Sequence, residues 1–233
     1  MAQCLPVNHA GEDFLLHPQK VMYWPAQKTL FVADVHVGKE QVFARHGIAI
    51  PGGISESTLQ RLFALASGSG AERLIVLGDF MHNVPTASEG WLRELSTLMN
   101  NHPALRVEVV AGNHDRLAGR KLTDPRLVWH SSSSIVAALA LHHEPCEDPR
   151  GFVLCGHLHP AYRLGSSRGN AIRAPVFWFR KHYAVLPAFG EFTGGVIIEP
   201  DAHTDTLYMS GPDSIVKVPV IKKARNSRQY QGE

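Results

Sequence analysis

Four short runs of apolar residues each stop at an aspartate or at a glycine that precedes a polar segment. They lie at residues 29–33, 74–77, 107–111 and 152–155, the third with one polar interruption. Runs of this length, rich in β-branched residues and bounded by glycine, predict buried strands. Because α/β folds place their sites beyond the carboxyl ends of such strands, the polar segments that follow are the first candidates for a functional site.

Five polar segments in a fixed order carry histidine, aspartate and asparagine. They are residues 34–36 (DVH), 78–83 (GDFMHN), 112–115 (GNHD), 142–144 (HHE) and 156–159 (GHLH). Together they offer two carboxylates, one amide oxygen and four imidazoles, which is enough to hold two divalent metal ions. The combination indicates metal-assisted hydrolysis of a phosphate ester.

Seven residues are the predicted metal ligands: Asp34, His36, Asp79, Asn113, His143, His157 and His159. Residues two apart in an extended segment point to the same side, so the D-x-H pair and the H-x-H pair can each bind one ion. Asp79 is the predicted bridge, because both of its carboxylate oxygens can bind metal. His142 remains an alternative to His143, which we favour because it lies two places beyond Leu141, on the same face of an extended segment.

The chemistry expected of this ligand set depends on a pair of ions. Two metal ions about 3.5–4 Å apart lower the pKa of a bridging water and clamp a phosphoryl group for in-line displacement. Mixed oxygen and imidazole ligands suit Mn²⁺, Fe or Zn²⁺ better than metals that prefer thiolate. We therefore expect two divalent ions as cofactors.

Three residues beside the ligands are candidates for catalysis: His114, Asp115 and His82. Adjacent residues rarely reach one ion, so His114 is expected to face the substrate, where it donates a proton to the leaving oxygen or stabilises charge on the phosphate. Asp115 is expected to hydrogen-bond His114 and fix its tautomer, with capping of a helix at residues 116–120 as the alternative. His82 is either a phosphate contact or a loop residue without a catalytic role.

Length and composition suit one globular enzyme domain. The chain has 233 residues, of which 44% are hydrophobic, and we expect a single domain over residues 1–220. No apolar stretch approaches the ~20 residues of a membrane span, and the N-terminus lacks the basic start and apolar core of a signal peptide. Three cysteines argue against a disulfide framework and favour a reducing cytoplasm. The basic residues 221–233 are predicted to form a flexible tail.

The order of predicted elements bears on the architecture. Helices interleave with strands in the first half, where residues 55–66 and 87–99 carry apolar positions at helical spacing. Short predicted strands dominate after residue 125. This order predicts two packed sheets flanked by helices.

The five segments resemble the pattern of the calcineurin-like metallophosphoesterase superfamily, which reads D-x-H, GD-x-x, GNH-[DE], H and GH-x-H. The resemblance covers residues 29–160. It implies an α/β fold, a four-layer α/β/β/α sandwich of two mixed sheets flanked by helices, built around a dinuclear metal centre. The GDxVDRG form of protein phosphatases is absent, which disfavours phosphoprotein substrates.

A narrower resemblance rests on GDFMHN, on His143-Glu144-Pro145 and on LPAFGEFTGG at residues 186–195. These segments look like those of the ligase-associated DNA-damage-response metallophosphoesterases, which are bacterial proteins encoded beside a DNA ligase and a helicase. The resemblance implies a Mn²⁺-dependent phosphodiesterase and endonuclease that acts on single-stranded DNA in repair. DNA, the ligase and the helicase are the expected partners, and the oligomeric state stays open, a homodimer included.

The charge distribution offers a candidate DNA surface between residues 160 and 190. This stretch has no acidic residue and carries Arg163, Arg168, Arg173, Arg180 and Lys181. We predict that Arg173 and Arg180 contact the DNA backbone and that an aromatic residue of 177–179 (FWF) stacks on a base. The alternative is that these aromatic residues belong to the sheet core and that the arginines form a solvated face.

Two other functions fit the same motifs. One is hydrolysis of a small phosphodiester, such as a cyclic nucleotide or a nucleotide-sugar, and a deep closed pocket would favour it. The other is a non-catalytic interaction module of the same fold, which the intact His114 disfavours. An open basic groove would favour the DNA phosphodiesterase.

Overall fold

The first of two sheets has seven strands that follow one another in chain order. The computed structural model describes residues 4–118, 122, 124–165 and 171–220. The strands are β1 (Leu5–His9), β2 (Glu12–His17), β3 (Val21–Trp24), β4 (Thr29–Val32), β5 (Arg73–Leu77), β6 (Arg106–Val110) and β7 (Leu127–His130). Neighbours among β1–β4 are antiparallel, and those among β4–β7 are parallel. The carboxyl ends of β4, β5 and β6 therefore meet at one edge, where Asp34, Asp79 and Asn113 follow them.

The second sheet has nine strands and is also mixed. They are β8 (Ser133–Val136), β9 (Leu139–His142), β10 (Phe152–Cys155), β11 (Pro160–Leu164), β12 (Ile172–Phe179), β13 (Tyr183–Val185), β14 (Val196–Ile197), β15 (Thr206–Ser210) and β16 (Ile215–Val218). The order is β14-β11-β12-β13-β10-β9-β8, and β15 pairs with β12 and β16. The central strands β9, β10 and β13 are parallel, so His143 and His157 leave the sheet on the same side.

The inner faces of the two sheets pack against each other. Phe31 and Leu77 of the first sheet share one buried cluster with Leu154, Phe177 and Leu186 of the second sheet. Burial of apolar side chains on both faces explains why these strands read as apolar runs in the sequence. The same packing sets the strand ends of both sheets side by side.

The described part of the chain has a short 3-10 helix (Pro25–Gln27) and four α-helices: α1 (Lys39–Arg45), α2 (Ile54–Ser69), α3 (Gly90–Asn101) and α4 (Asp115–Ala118). Leu62 of α2 and Trp91 of α3 pack with Leu74 and Val107 of the first sheet, which covers its outer face. The helices predicted at residues 55–66 and 87–99 are therefore present, and the first is longer at both ends. Ser55 is the second residue of α2 and donates its hydroxyl to Glu40.

The predicted α/β fold with two mixed sheets is confirmed. The outer face of the second sheet carries a separate apolar cluster that includes Val153, Val185, Leu207 and Met209. Among the described residues, no helix follows α4, so this cluster is built from strand and loop residues. No helix in the described residues is long and apolar enough to cross a membrane. The tail predicted at residues 221–233 lies outside the described residues.

Candidate active site

A first group of metal-binding side chains consists of Asp34, His36 and His159. One donor atom from each lies within 4.8 Å of the other two. The Nε2 atoms of His36 and His159 are 3.4 Å apart, and His159 Nε2 is 3.6 Å from Asp34 Oδ1. The backbone N–H of His157 donates to both oxygens of Asp34, at 2.9 and 3.2 Å, which orients this carboxylate.

A second group consists of Asp79, His143 and His157, with Asn113 beside it. The donor atoms of Asp79, His143 and His157 also lie within 4.8 Å of one another. His143 Nε2 is 3.0 Å from His157 Nδ1 and 3.0 Å from Asn113 Oδ1. The structure thus brings the Asn113 amide oxygen close to the imidazole rings of His143 and His157.

Asp79 belongs to the second group and also lies close to the first. Its Oδ2 is 3.8 Å from His36 Nε2 and 3.5 Å from His143 Nε2. Its Oδ1 accepts the backbone N–H of His114 at 3.0 Å. Oδ2 is therefore the atom placed to bridge the two groups, and the backbone bond to Oδ1 orients the carboxylate.

The donor atoms fit a pair of divalent cations. Ligands that share one cation at about 2.1 Å lie about 3.0–3.4 Å from one another, close to the spacings in both groups. His143 Nδ1 lies 3.2 Å from the Leu77 carbonyl and His159 Nδ1 lies 3.0 Å from the Thr193 carbonyl, so both rings donate there and present Nε2 to the centre. Burial lowers the pKa of His36 to about 2, which keeps this ring neutral and able to bind metal.

Five of the predicted ligands have left-handed backbone. The φ angles are 53° at Asp34, 52° at His36, 49° at Asp79, 70° at His157 and 45° at His159. The expectation of extended D-x-H and H-x-H segments is wrong for this reason. Such a conformation costs a residue with a side chain roughly 1–2 kcal/mol, and it persists where the surrounding fold enforces it. The packed sheets therefore hold these ligands in place before any ion binds.

Three glycines make room for the ligand side chains. A Cβ on Gly78, which has φ 82°, would overlap the His143 ring, and a Cβ on Gly112 would overlap Asp79. A Cβ on Gly156 would lie 2.7 Å from Asp34 Oδ2. These three positions therefore need glycine because the ligand side chains pack directly against the backbone there.

His114 lies beside the first ligand group without joining it. Its Nδ1 is 2.8 Å from the backbone carbonyl of His82, an atom that only accepts, so Nδ1 carries the proton and Nε2 is free. The ring lies edge-on to His36, with centroids 5.2 Å apart. The side chain is partly exposed. A ring fixed this way can exchange a proton with a substrate through Nε2.

His82 contacts both His114 and His36. It stacks on His114 with centroids 4.7 Å apart, and its Nδ1 is 3.4 Å from His36 Nδ1. Burial lowers the pKa of His82 to about 4, and electrostatic repulsion within the cluster of basic groups adds to the shift. The three rings form a further group whose donor atoms lie within 4.8 Å of one another. Because Nε2 of His36 faces Asp79, contact with His82 at the other nitrogen orients the His36 ring.

Contrary to the prediction, Asp115 does not contact the His114 ring. Its carboxylate accepts three backbone N–H groups, from Phe80 at 3.1 Å, Met81 at 2.9 Å and Gly112 at 3.0 Å. These bonds tie the loop that carries Asp79 to the loop that carries Asn113 and His114. Asp115 is thus a positioning residue at the start of α4, and the His82 carbonyl sets the His114 tautomer in its place.

His142, the last residue of β9, and His143, which follows it, point to different places in the structure. His143 turns into the second ligand group, as favoured from the sequence. His142 Nε2 instead lies 2.8 Å from Asp148 Oδ2. The ring of His142 therefore belongs to a loop contact outside the two ligand groups.

The residues predicted to bind DNA differ from one another. Arg180 is a structural residue: it donates to Asp205 Oδ1 at 3.2 Å and to the Tyr183 hydroxyl at 2.7 Å, at the start of β13 and away from the strand ends that carry the ligands. Arg173 is exposed and donates to the Gly195 carbonyl, near His159. The aromatic residues of 177–179 are buried, so the sheet-core alternative holds for them.

Lys39 is a charged residue near the centre that the sequence reading missed. It opens α1 three positions after His36, and Glu40 beside it is fixed by Ser55 N–H and hydroxyl bonds of 2.9 and 2.7 Å. Burial lowers the pKa of Lys39, and attraction to Asp79 opposes the shift. Within the described residues it has no ion-pair partner. A lysine directly after D-x-H-x-G was the available signal.

Comparisons with known proteins agree with this geometry. The family model of calcineurin-like phosphoesterases matches residues 27–216. The crystal structure of the Pseudomonas putida nuclease MPE is similar, with a TM-score of 0.79 and 35% identity over 93% of this chain and 100% of that chain. No curated protein matches this chain significantly.

Two more distant structures align with a TM-score of 0.39 each and add nothing to the assignment. One is AQ665 from Aquifex aeolicus, a protein of unknown function, with 20% identity over 60% of this chain and 81% of that one. The other is the Escherichia coli phosphoesterase Yfce, with 16% identity over 83% of this chain and 99% of that one. The family match covers most of the chain, and the ligand geometry is that of a dinuclear divalent centre. The chain belongs to the calcineurin-like phosphoesterase family and is a metal-dependent phosphoesterase.

Proposed function

We propose that this chain is a Mn²⁺-loaded phosphodiesterase that cuts single-stranded DNA. The observation that carries the proposal is the pair of ligand groups that share Asp79 Oδ2, with the free Nε2 of His114 beside them. The 35% identity to a nuclease of Pseudomonas putida supports a nucleic acid as the substrate.

The residues of the centre divide the work of hydrolysis. When bound, the ions supply a nucleophile at neutral pH and neutralise charge on the phosphate. Asp34, His36 and His159 would hold one ion, and Asn113, His143 and His157 would hold the other, with Asp79 placed to serve both. A proton taken up from solvent at the free Nε2 of His114 would pass to the leaving oxygen and leave the ring neutral, while its Nδ1–H stays bonded to the His82 carbonyl.

Lys39 supplies a cation for the substrate phosphate. Its ammonium is half-buried, is attracted to Asp79 and has no ion-pair partner in the described part of the chain. An unpaired ammonium next to a phosphate site gains a charge-assisted hydrogen bond when the phosphate binds. Lys39 therefore contacts a non-bridging oxygen of the scissile phosphate.

Mn²⁺ is the metal we propose for the centre. The donors are carboxylate, amide and imidazole groups, and no thiolate lies in the ligand groups of the described residues. This set suits a metal of intermediate hardness, with Fe and Zn²⁺ as the alternatives. Activity after reconstitution of the metal-free protein with each ion ranks them.

The exposure of the centre favours a polymer over a small enclosed substrate. His157 is exposed, and His114 and His159 are partly exposed, so the ligands open directly onto the surface. A flexible single strand can bend its phosphate into such a centre, whereas a duplex holds the phosphate in a stiff backbone. The nuclease relative and the motif resemblance together support a role in DNA repair, beside a DNA ligase and a helicase in the cytoplasm.

The proposed function is tested by a substrate comparison with the Mn²⁺-loaded protein. Single-stranded DNA, duplex DNA of the same sequence, a cyclic nucleotide and a chromogenic diester are compared by kcat/KM. We expect the single strand to be cut faster than the duplex, with a rate that falls as salt rises because phosphate contacts release counterions. Brisk hydrolysis of the small diesters without any DNA cleavage would replace the proposal with a small-molecule phosphodiesterase.

A further inference from the structure

A loop formed by residues 189–195 contacts the first ligand group at both ends. The backbone N–H of Gly190 donates to the Asp34 carbonyl at 3.0 Å. Near the other end, the Thr193 carbonyl accepts the Nδ1–H of His159 at 3.0 Å. This segment, called the 189–195 loop below, is therefore part of the rim of the metal centre.

Arg61 of α2 holds the 189–195 loop in place. Its guanidinium lies 3.9 Å from the centroid of the Phe189 ring, donates to the Phe189 carbonyl at 3.1 Å and pairs with Glu191 at 3.3 Å. The Thr193 hydroxyl donates to the Gly190 carbonyl at 3.1 Å. Phe192 therefore sits between fixed neighbours on both sides.

Phe192 combines two features that the fold itself does not require. Its side chain is 57% exposed, and its backbone is left-handed with φ 55°. A left-handed conformation is uncommon for a bulky residue, and an exposed phenyl ring forgoes the burial that stabilises most phenylalanines. Strain of this kind clusters at ligand-binding positions, where a bound molecule compensates for it.

The surface next to Phe192 carries the other groups that a nucleic acid needs. Val196, which is 62% exposed, begins β14 directly after the loop. Arg173 is exposed and reaches the Gly195 carbonyl at the end of the loop. An aromatic ring with a cation beside it is the usual platform for single-stranded nucleic acids, where the ring stacks on a base and the cation contacts the backbone.

We propose that Phe192 stacks on the nucleobase next to the scissile phosphate of a single-stranded nucleic acid, and that Arg173 contacts a flanking phosphate. The proposal rests on the proposed DNA function. Phe192 directly precedes Thr193, whose carbonyl accepts the Nδ1–H of His159, so it lies on the rim of the metal centre. Because every base has a π-face, stacking on Phe192 gives little base preference.

The test measures KM and kcat of the Mn²⁺-loaded protein on a single-stranded oligonucleotide and on a chromogenic diester. Phe192→Ala should raise KM for the oligonucleotide roughly 5- to 150-fold, the equivalent of losing one stacked base. Hydrolysis of the chromogenic diester should be unchanged, because that substrate does not reach the loop. Phe192→Trp should restore KM. Val216→Ala is the matched control, since Val216 is equally exposed on β16 and should not affect KM.

An abasic oligonucleotide separates stacking from a general loss of contact. The wild-type protein should bind a strand with one abasic position beside the cleavage site more weakly than the intact strand, by the same factor. Phe192→Ala should not distinguish the two strands, as a double-mutant cycle requires for a direct contact. Fluorescence anisotropy of the labelled strands with metal-free protein gives the same comparison without cleavage.

Phe192→Gly guards against a folding artefact, because glycine tolerates φ 55° and should not lower the Tm. Equal KM values for wild-type and Phe192→Ala protein on DNA would overturn the stacking role while leaving the nuclease proposal intact. Equal losses on DNA and on the chromogenic diester would also overturn it, since the loop would then act through His159. A wild-type protein that cuts no DNA would remove the proposed function and this inference with it.

Discussion

Replacing His114 with alanine separates proton transfer from metal binding. The ring donates Nδ1–H to the His82 carbonyl and stacks on His82, and it belongs to neither of the ligand groups that share Asp79. The bond that orients Asp79 comes from the backbone N–H of residue 114, which alanine keeps. His114→Ala should therefore bind as much metal as the wild-type protein.

The size of each effect follows from these contacts. Loss of one neutral hydrogen bond and one ring contact should lower the free energy of unfolding by about 1–2 kcal/mol. For a chain of this length, each kcal/mol lowers the Tm by about 2–4 °C. Loss of the acid should lower kcat by a factor on the order of 10²–10⁴ on a diester with a poor leaving group, about 2.7–5.4 kcal/mol of activation free energy.

The assay pairs elemental analysis of metal content with kcat on two diesters. A diester whose leaving group needs no proton, such as a nitrophenyl ester, should lose much less activity than one with an alkyl leaving group. If metal content falls along with activity, His114 is a ligand. If both diesters lose the same factor while metal is retained, His114 acts on the phosphate charge and not as an acid.

Three further outcomes follow from the structure. Asp115→Ala should lower the free energy of unfolding by at least about 3 kcal/mol, since three backbone N–H groups lose their acceptor; an unchanged Tm would refute this role. Arg180→Ala should lower the Tm and leave kcat/KM on DNA unchanged; selective loss of DNA cleavage would restore its predicted role in binding. Burial lowers the pKa of His36 to about 2 and of His82 to about 4, below about 6.5 in the unfolded chain. The unfolded state therefore binds more protons in this range, and the Tm of metal-free protein should fall as the pH is lowered from 6.5 to 4. A Tm that does not change with pH would contradict these pKa values.

The positions of the ligands could be predicted from the sequence because each depends on local pattern. Asp34, Asp79 and Asn113 follow apolar runs that form neighbouring parallel strands, so the strand ends alone bring them together. The choice of His143 over His142 also followed from position along one strand. The left-handed backbone of five of the ligands could not be predicted, because the packing of two sheets imposes it.

The errors concern contacts between residues far apart in the chain. Asp115 accepts hydrogen bonds from the N–H groups of Phe80 and Met81, 35 and 34 residues away, and no local sequence pattern indicates such a bond. Arg180 is paired with Asp205, 25 residues away, and a count of basic residues cannot distinguish an arginine in such an ion pair from an unpaired one. Within the described ranges, the exposed phenylalanine is Phe192, outside the basic stretch, because hydrophobic pattern alone does not distinguish a core phenylalanine from a surface one.

The most direct test of the shared metal centre is Asp79→Ala. The Oδ2 atom of Asp79 lies between both ligand groups, so its loss should remove at least one of two bound ions per chain and nearly all diester hydrolysis. Metal content and kcat are measured for wild-type and Asp79→Ala protein after chelation and after addition of Mn²⁺. The wild-type protein should be inactive in chelator and recover with Mn²⁺, whereas the variant should not recover. Substantial hydrolysis by metal-free Asp79→Ala protein would contradict a dinuclear centre built on this residue.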